Sequence, residues 1–154
     1  IKTDLYVGTV VRTNRMALDD LAESVEKYHE NIPKYEAEIR ECTYRQFTTG
    51  FFYGKPSDEA QIYDENTYEK GATYIGEIEE ISDGFAKISQ KNKFSVGETI
   101  EIMKPDGDNI PVRIDKLFNA DKEPVESAPH PKETIYFKVP AEACPGDLLR
   151  RREI

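Results

Sequence analysis

The chain has 154 residues and a mass of 17.7 kDa, with 38% hydrophobic and 33% charged residues. That is enough for one ordinary domain; 9 Tyr and 7 Phe at regular apolar spacing exclude disorder throughout, and no apolar run approaches the roughly 20 residues a membrane-spanning helix needs. A net charge of −9 repels phosphate backbones at long range, so nucleic-acid binding would require a local basic patch.

The two cysteines, Cys42 and Cys144, form neither a CxxC pair nor a zinc spacing. This usage fits a reduced, cytoplasmic compartment rather than a disulfide-stapled domain. The first residue is Ile1, and no charged-then-apolar leader follows it, so the sequence reads as a piece of a longer protein.

Residues 1–42 have helical spacing. Val7, Val10, Val11, Leu18, Leu21, Val25 and Tyr28 recur at three- and four-residue steps and predict one apolar stripe, with Asp19, Asp20, Glu23 and Glu26 mostly off it. Asn31-Ile32-Pro33 interrupts the pattern. Proline is accepted in the first turn of a helix, which predicts a second short helix from Pro33 carrying Tyr35, Ile39 and Cys42. Two helices alone do not bury this stripe, and it is expected to meet a partner surface outside this sequence.

Residues 43–71 change character. Tyr44, Phe47, Phe51, Phe52, Tyr53, Tyr63 and Tyr68 are mixed with Gly50, Gly54, Pro56 and Gly71, and no single period holds. This stretch is expected to be an aromatic linker. From Thr73 the pattern becomes β. Asp83-Gly84 is a hairpin turn between a strand ending near Ile81 and a return strand from Phe85 to Ser89. Thr99–Met103, Ile110–Ile114 and Glu133–Val139 follow, with turns at Pro105–Asp108 and Asn119–Pro124. Short strands at such intervals predict a small antiparallel barrel or sandwich over residues 72–154. The fold class is therefore α+β.

No catalytic set assembles from these residues. There is no HExxH, no third histidine beside His29 and His130, no GxSxG and no phosphate loop. Adjacent acidic residues such as Glu79-Glu80 point to opposite faces and read as solvated surface. His130 stands between Pro129 and Pro131, where an extended backbone either presents the imidazole to a ligand or forms a surface turn. Arg45 and Lys55 flank Phe51, Phe52 and Tyr53, a combination that suits stacking on a base beside a phosphate; buried aromatics sealing two units together is the plainer reading. Arg150, Arg151 and Arg152 form a basic end that either contacts phosphate or frays in solvent.

The segment from Tyr44 to Pro56, with its Thr48-Thr49-Gly50-Phe51 core and Gly54-Lys55-Pro56, resembles the C-terminal part of peptidase family U32, the collagenase-like peptidases. Tyr44 stands where that family's pattern has a histidine. Val10 to Asp19 resembles the family's final catalytic helix. Gln90 to Glu98, Ala128-Pro129-His130-Pro131 and Pro145 to Arg150 resemble its appended β domain.

The resemblance implies that residues 1–42 close a TIM-like catalytic barrel lying upstream, and that residues 72–154 form an open antiparallel β-barrel like those of translation factors. It implies a parent described as a protease, or alternatively one that hydroxylates the wobble uridine of tRNA with prephenate. An iron–sulfur cluster held by four cysteines is implied for the parent; with two cysteines, this chain supplies no cofactor or metal site. The partners implied are the upstream catalytic domain, a tRNA or polypeptide substrate, and a homodimer formed through the parent, with no membrane. The chain by itself is expected to be inactive and to bind substrate, with Lys91, Lys93, His130 and Arg150–Arg152 joining the aromatic segment as candidate contacts, or else to be purely structural.

Overall fold

The computed structural model describes residues 2–42, 50–55 and 71–152. Two helices, α1 (Asp4–Glu23) and α2 (Val25–Arg40), precede ten strands. These are β1 (Ala72–Ser82), β2 (Phe85–Gln90), β3 (Phe94–Ser95), β4 (Thr99–Met103), β5 (Ile110–Arg113), β6 (Leu117–Phe118), β7 (Pro124–Val125), β8 (Ser127–Ala128), β9 (Thr134–Lys138) and β10 (Leu148–Arg152). Eight strands pair antiparallel in the order β5-β4-β10-β1-β2-β9-β6-β7, and β3 pairs with β8 in a small second sheet. The architecture is α+β as expected, but the barrel is a curled half-barrel: β5 and β7 stand at opposite ends of the strand order.

The helix break lies at Ser24, seven residues before the expected interruption begins at Asn31. Ser24 is extended (φ −161°, ψ 151°), and its Oγ accepts from the Lys27 backbone N–H at 3.0 Å, so one residue ends α1 and caps α2. Pro33 lies inside α2, and the helix runs through it. Thr3 caps α1 in the same way, accepting from the Tyr6 N–H.

The described residues leave most of the apolar stripe open, and a different set of α1 residues is buried. Leu5, Thr9, Arg12, Thr13 and Met16 are the buried residues of α1, whereas Val7, Val11, Leu18, Leu21 and Val25 are exposed. The buried stripe keeps helical spacing but is polar in its middle, so an apolar pattern alone points to the opposite face. Leu5 meets Tyr74, Met103 and Leu148, which lays α1 on the outer surface of the sheet. Gly8 permits this approach: a Cβ there would stand 2.8 Å from Leu148 Cδ1.

The barrel-side core is formed by Ile75, Ile78, Ile88, Ile100, Ile102, Ile114, Leu117, Ile135, Phe137 and Leu149 around Phe94, whose ring meets Phe137 edge-on at 6.1 Å. Bulges between Tyr74 and Gly76, and between Ile78 and Glu80, explain the imperfect alternation of β1. Asp83 (φ 53°) and Gly84 (φ 77°) make the predicted β1–β2 turn, where two successive left-handed residues match the strand twist. β10 is the strand that sequence reading took for a frayed basic end; it runs between β4 and β1 in the middle of the sheet.

These two faces differ in energetic weight. Leu149→Ala should lower unfolding stability by about 2–5 kcal/mol, while Leu18→Ser should change it by no more than about 0.5 kcal/mol. Urea unfolding of the two variants beside the parent chain checks the contrast.

Candidate functional site

The three C-terminal arginines divide between two faces of β10. Arg150 is fully buried. Its Nη1 and Nη2 donate to the two carboxylate oxygens of Glu38 at 3.2 and 3.3 Å, and its Nε donates to Glu101 at 2.8 Å. Arg12 of α1 donates to the same Glu38 and to Asn109 Oδ1 at 2.6 Å and the Lys104 carbonyl at 3.2 Å. Arg152 lies 3.0 Å from Glu101, with Glu38 and Glu41 at 3.7 and 3.9 Å. Arg12, Arg150 and Arg152 are thus matched by Glu38, Glu41 and Glu101. The expectation of a phosphate-binding Arg150 is corrected, because it is fully buried in an ionic junction between α1, α2, β4 and β10; Arg152 pairs at the edge of that junction with its side chain half exposed.

The electrostatics differ within that junction. Burial pulls the Arg12 guanidinium down, and attraction to Glu38 only partly restores it. Burial also opposes the charge on Arg150, but hydrogen bonds and attraction to Glu38, then to Glu101, outweigh it and leave Arg150 raised. Burial pushes the Glu41 carboxyl up against the pull of Arg152 and Arg150, and its Oε2 has no hydrogen-bond partner among the described residues. The raised carboxyl means that ionising Glu41 costs folding stability at neutral pH, a penalty that protonation relieves.

Arg151 points the other way. Its Nη1 donates to Glu98 at 2.6 Å and to the Lys93 carbonyl at 3.4 Å, which brings it beside the loop bearing Lys91 and Lys93. Both lysines are exposed. Buried Gln90 ties this loop to the His130 loop, with its Nε2 donating to the Ala128 carbonyl at 2.5 Å and to the Asn92 carbonyl at 3.2 Å; the Lys132 N–H donates back to Gln90 at 3.1 Å. Lys91, Lys93, His130 and Arg151, scattered in sequence, thus share one end of the sheet. Lys132, exposed at φ 70°, joins them and was missed, because a lone lysine after Pro131 carries no pattern. A cleft of about 470 Å³ opens beside His130, lined also by Ser127, Glu133, Thr134, Asn119 and Asp121.

Phe51, Phe52 and Tyr53 are each more than three-quarters exposed, so the expectation that they are buried is not met. They stand on a separate turn, with Phe52 and Tyr53 edge-to-face at 4.9 Å and Lys55 exposed next to them. Arg45 lies outside the described residues, as does most of the proposed linker. Cys42 is fully buried, and burial pushes its thiol up; Cys144 is exposed. The donor set of two cysteines does not fit a four-cysteine iron–sulfur cluster, and no group of three metal-binding side chains occurs among the described residues. Among the described residues, no helix is long and apolar enough to cross a membrane.

Comparison with known families gives two adjoining matches: the peptidase family U32 C-terminal domain over residues 70–150, and peptidase family U32 over residues 1–62. The chain belongs to peptidase family U32. Its U32 relatives include tRNA hydroxylation protein P1 of Bacillus subtilis, 25% identical over 153 residues that cover 98% of this chain and 36% of that protein. The tRNA hydroxylation protein P of Haemophilus influenzae is 28% identical over 142 residues, covering 90% of this chain and 30% of the relative, and its Escherichia coli counterpart is 28% identical over 141 residues with the same coverage. The chain spans about a third of the length of these curated relatives. A crystal structure of the C-terminal domain of a protein described as a U32 peptidase from Geobacillus thermoleovorans is 26% identical, with a TM-score of 0.48, covering 51% of this chain and 99% of that one.

Two outcomes follow for the junction. Glu38→Gln leaves buried arginines short of charge and should cost about 3–5 kcal/mol in unfolding stability, against less than about 1 kcal/mol for Asp19→Asn in the exposed Arg15–Asp19 pair. Glu41→Gln should raise the melting temperature at neutral pH. Because the folded carboxyl titrates above its ordinary value, that gain should shrink as pH falls through the raised value and vanish below the ordinary carboxylate range. Thermal melts across pH check both.

Proposed function

We propose that this chain is the substrate-holding C-terminal part of a U32 protein that acts in tRNA hydroxylation, and that it has no catalytic activity by itself. The observation that carries the reading is that its relatives, matched over nine-tenths or more of its length, are named tRNA hydroxylation proteins. The basic end formed by Lys91, Lys93, Lys132 and Arg151 supports it, since an acidic chain needs a local positive rim to approach a phosphate backbone. The exposed rings Phe51, Phe52 and Tyr53 beside Lys55 offer a second contact of the stacking kind.

The rest of the protein supplies the chemistry in this reading. The exposed stripe Val7, Val11, Leu18 and Leu21 is the face by which α1 joins the catalytic part of the same chain, with α1 and α2 closing that part and residues 43–71 linking it to the half-barrel. Any iron–sulfur cluster belongs to that catalytic part.

Filter binding of the whole protein to tRNA at rising salt tests the proposal. Binding should weaken steeply with salt, and replacing Lys91, Lys93 and Lys132 together by Gln should weaken it and flatten the salt dependence. Salt-independent binding, or none, contradicts it. Release of peptides from denatured collagen by a clean preparation would instead favour a protease.

A further inference from the structure

A second cleft, of about 480 Å³, opens at the β1–β2 turn and is lined by Glu80, Ser82, Asp83, Phe85, Lys87, Phe118, Lys122 and Tyr136. Three of these residues are aromatic and come from three different strands: Phe85 from β2, Phe118 from β6 and Tyr136 from β9. Phe85 and Phe118 meet edge-to-face at 5.8 Å, and Phe85 is 37% exposed at the end of its strand. Lys122 Nζ stands 5.9 Å from the centre of the Tyr136 ring. Lys87, which also lines the cleft, is paired with Glu79 at 2.9 Å.

We infer that this cleft binds one unstacked base of a single-stranded RNA segment. A nucleotide brings a flat π face, a polar edge and an anionic linker, and the cleft has a counterpart for each. The rings provide stacking surfaces that accept any base. Lys122 beside the Tyr136 ring offers a cation for the linking phosphate, while Lys87, already paired with Glu79, offers ammonium hydrogens rather than net charge. Glu80, Asp83 and Ser82 can accept from base N–H groups, and the two carboxylates oppose a bare polyphosphate, so the ligand must offer donors as well as negative charge. A duplex keeps its bases stacked and cannot enter, which restricts the ligand to a loop or a free end.

The hairpin formed by β6 and β7 walls both clefts: Phe118 and Lys122 face this one, and Asn119, Asp121 and Val125 face the His130 cleft. An RNA strand lodged by one base at the rings therefore has a continuation toward the basic end. The inference deepens the tRNA reading and rests on it for the identity of the strand.

The test uses the whole protein with two probes, intact tRNA and a short single-stranded oligouridylate. Filter binding gives affinity, and photo-crosslinking with thiouridine-substituted RNA gives location. Crosslinks should fall on the peptides bearing Phe85, Phe118 or Tyr136. Phe85→Ala should weaken oligouridylate binding about tenfold. Lys122→Asn is the second variant, because Lys122 sits on an exposed turn at φ 60°, where asparagine is tolerated and folding is preserved. It should weaken binding by a few-fold. If tRNA binds but crosslinks fall elsewhere and both variants bind like the parent, this proposal falls while the tRNA reading stands. If neither RNA binds, both fall. If a proline-rich peptide binds and Phe85→Ala abolishes that binding while RNA binding is untouched, the cleft is a peptide site and the proposal is overturned.

Discussion

Glu38 accepts hydrogen bonds from arginines that reach it from two separate parts of the chain, Arg12 from α1 and Arg150 from β10, while Arg152 draws near from the same strand. It sits on α2, so a single carboxylate ties both helices to the middle of the sheet. Such an arrangement is costly to assemble, because each charge must leave water. It holds because Glu38 faces both Nη groups of Arg150 and Glu101 accepts from its Nε–H. Apolar contact between helices and half-barrel among the described residues includes Leu5 against Tyr74, Met103 and Leu148, Gly8 against Leu148, and buried Met16 beside the Gly107 turn. The geometry specifies one docking angle, since a slide of α2 along β10 would strand a buried guanidinium.

That docking fixes which side of β10 each arginine faces. With Arg150 buried in the junction, the exposed lysines Lys91, Lys93 and Lys132 lie at the far side of β10, near Arg151, which is itself paired with Glu98. The net charge of −9 repels a phosphate backbone at long range, so in the proposed reading any contact with nucleic acid is short and local. The outer stripe of α1 stays open on the other side of the junction. One helix therefore has two jobs: its polar-centred face holds the half-barrel, and its apolar face is left for another surface.

Local signals made much of this fold legible. Asp83-Gly84 located the first hairpin because two left-handed residues in a row demand that pair, and Thr99–Met103 read correctly from its alternation. What was missed depends on distance in the chain. Leu148–Arg152 has no strand alternation, and its arginines become interior residues only through Glu38 and Glu101, which lie 112 and 49 residues from Arg150. Hydrophobic periodicity located the open apolar face of α1 but not the buried one, because this helix buries Thr9, Arg12 and Thr13, with Arg12 paired to Glu38. The aromatic cleft was invisible for the same reason: Phe85, Phe118 and Tyr136 each look like ordinary strand residues until the sheet curls them together.

Native-state hydrogen exchange across a denaturant series tests the central claim most directly. If the Glu38 junction binds helices and half-barrel into one cooperative body, amides in the middle of α2 and in β10 should converge on the same opening free energy and the same denaturant dependence. If α2 instead opens at a distinctly lower free energy while β10 stays protected, the junction is an incidental surface contact and the account built on it is wrong.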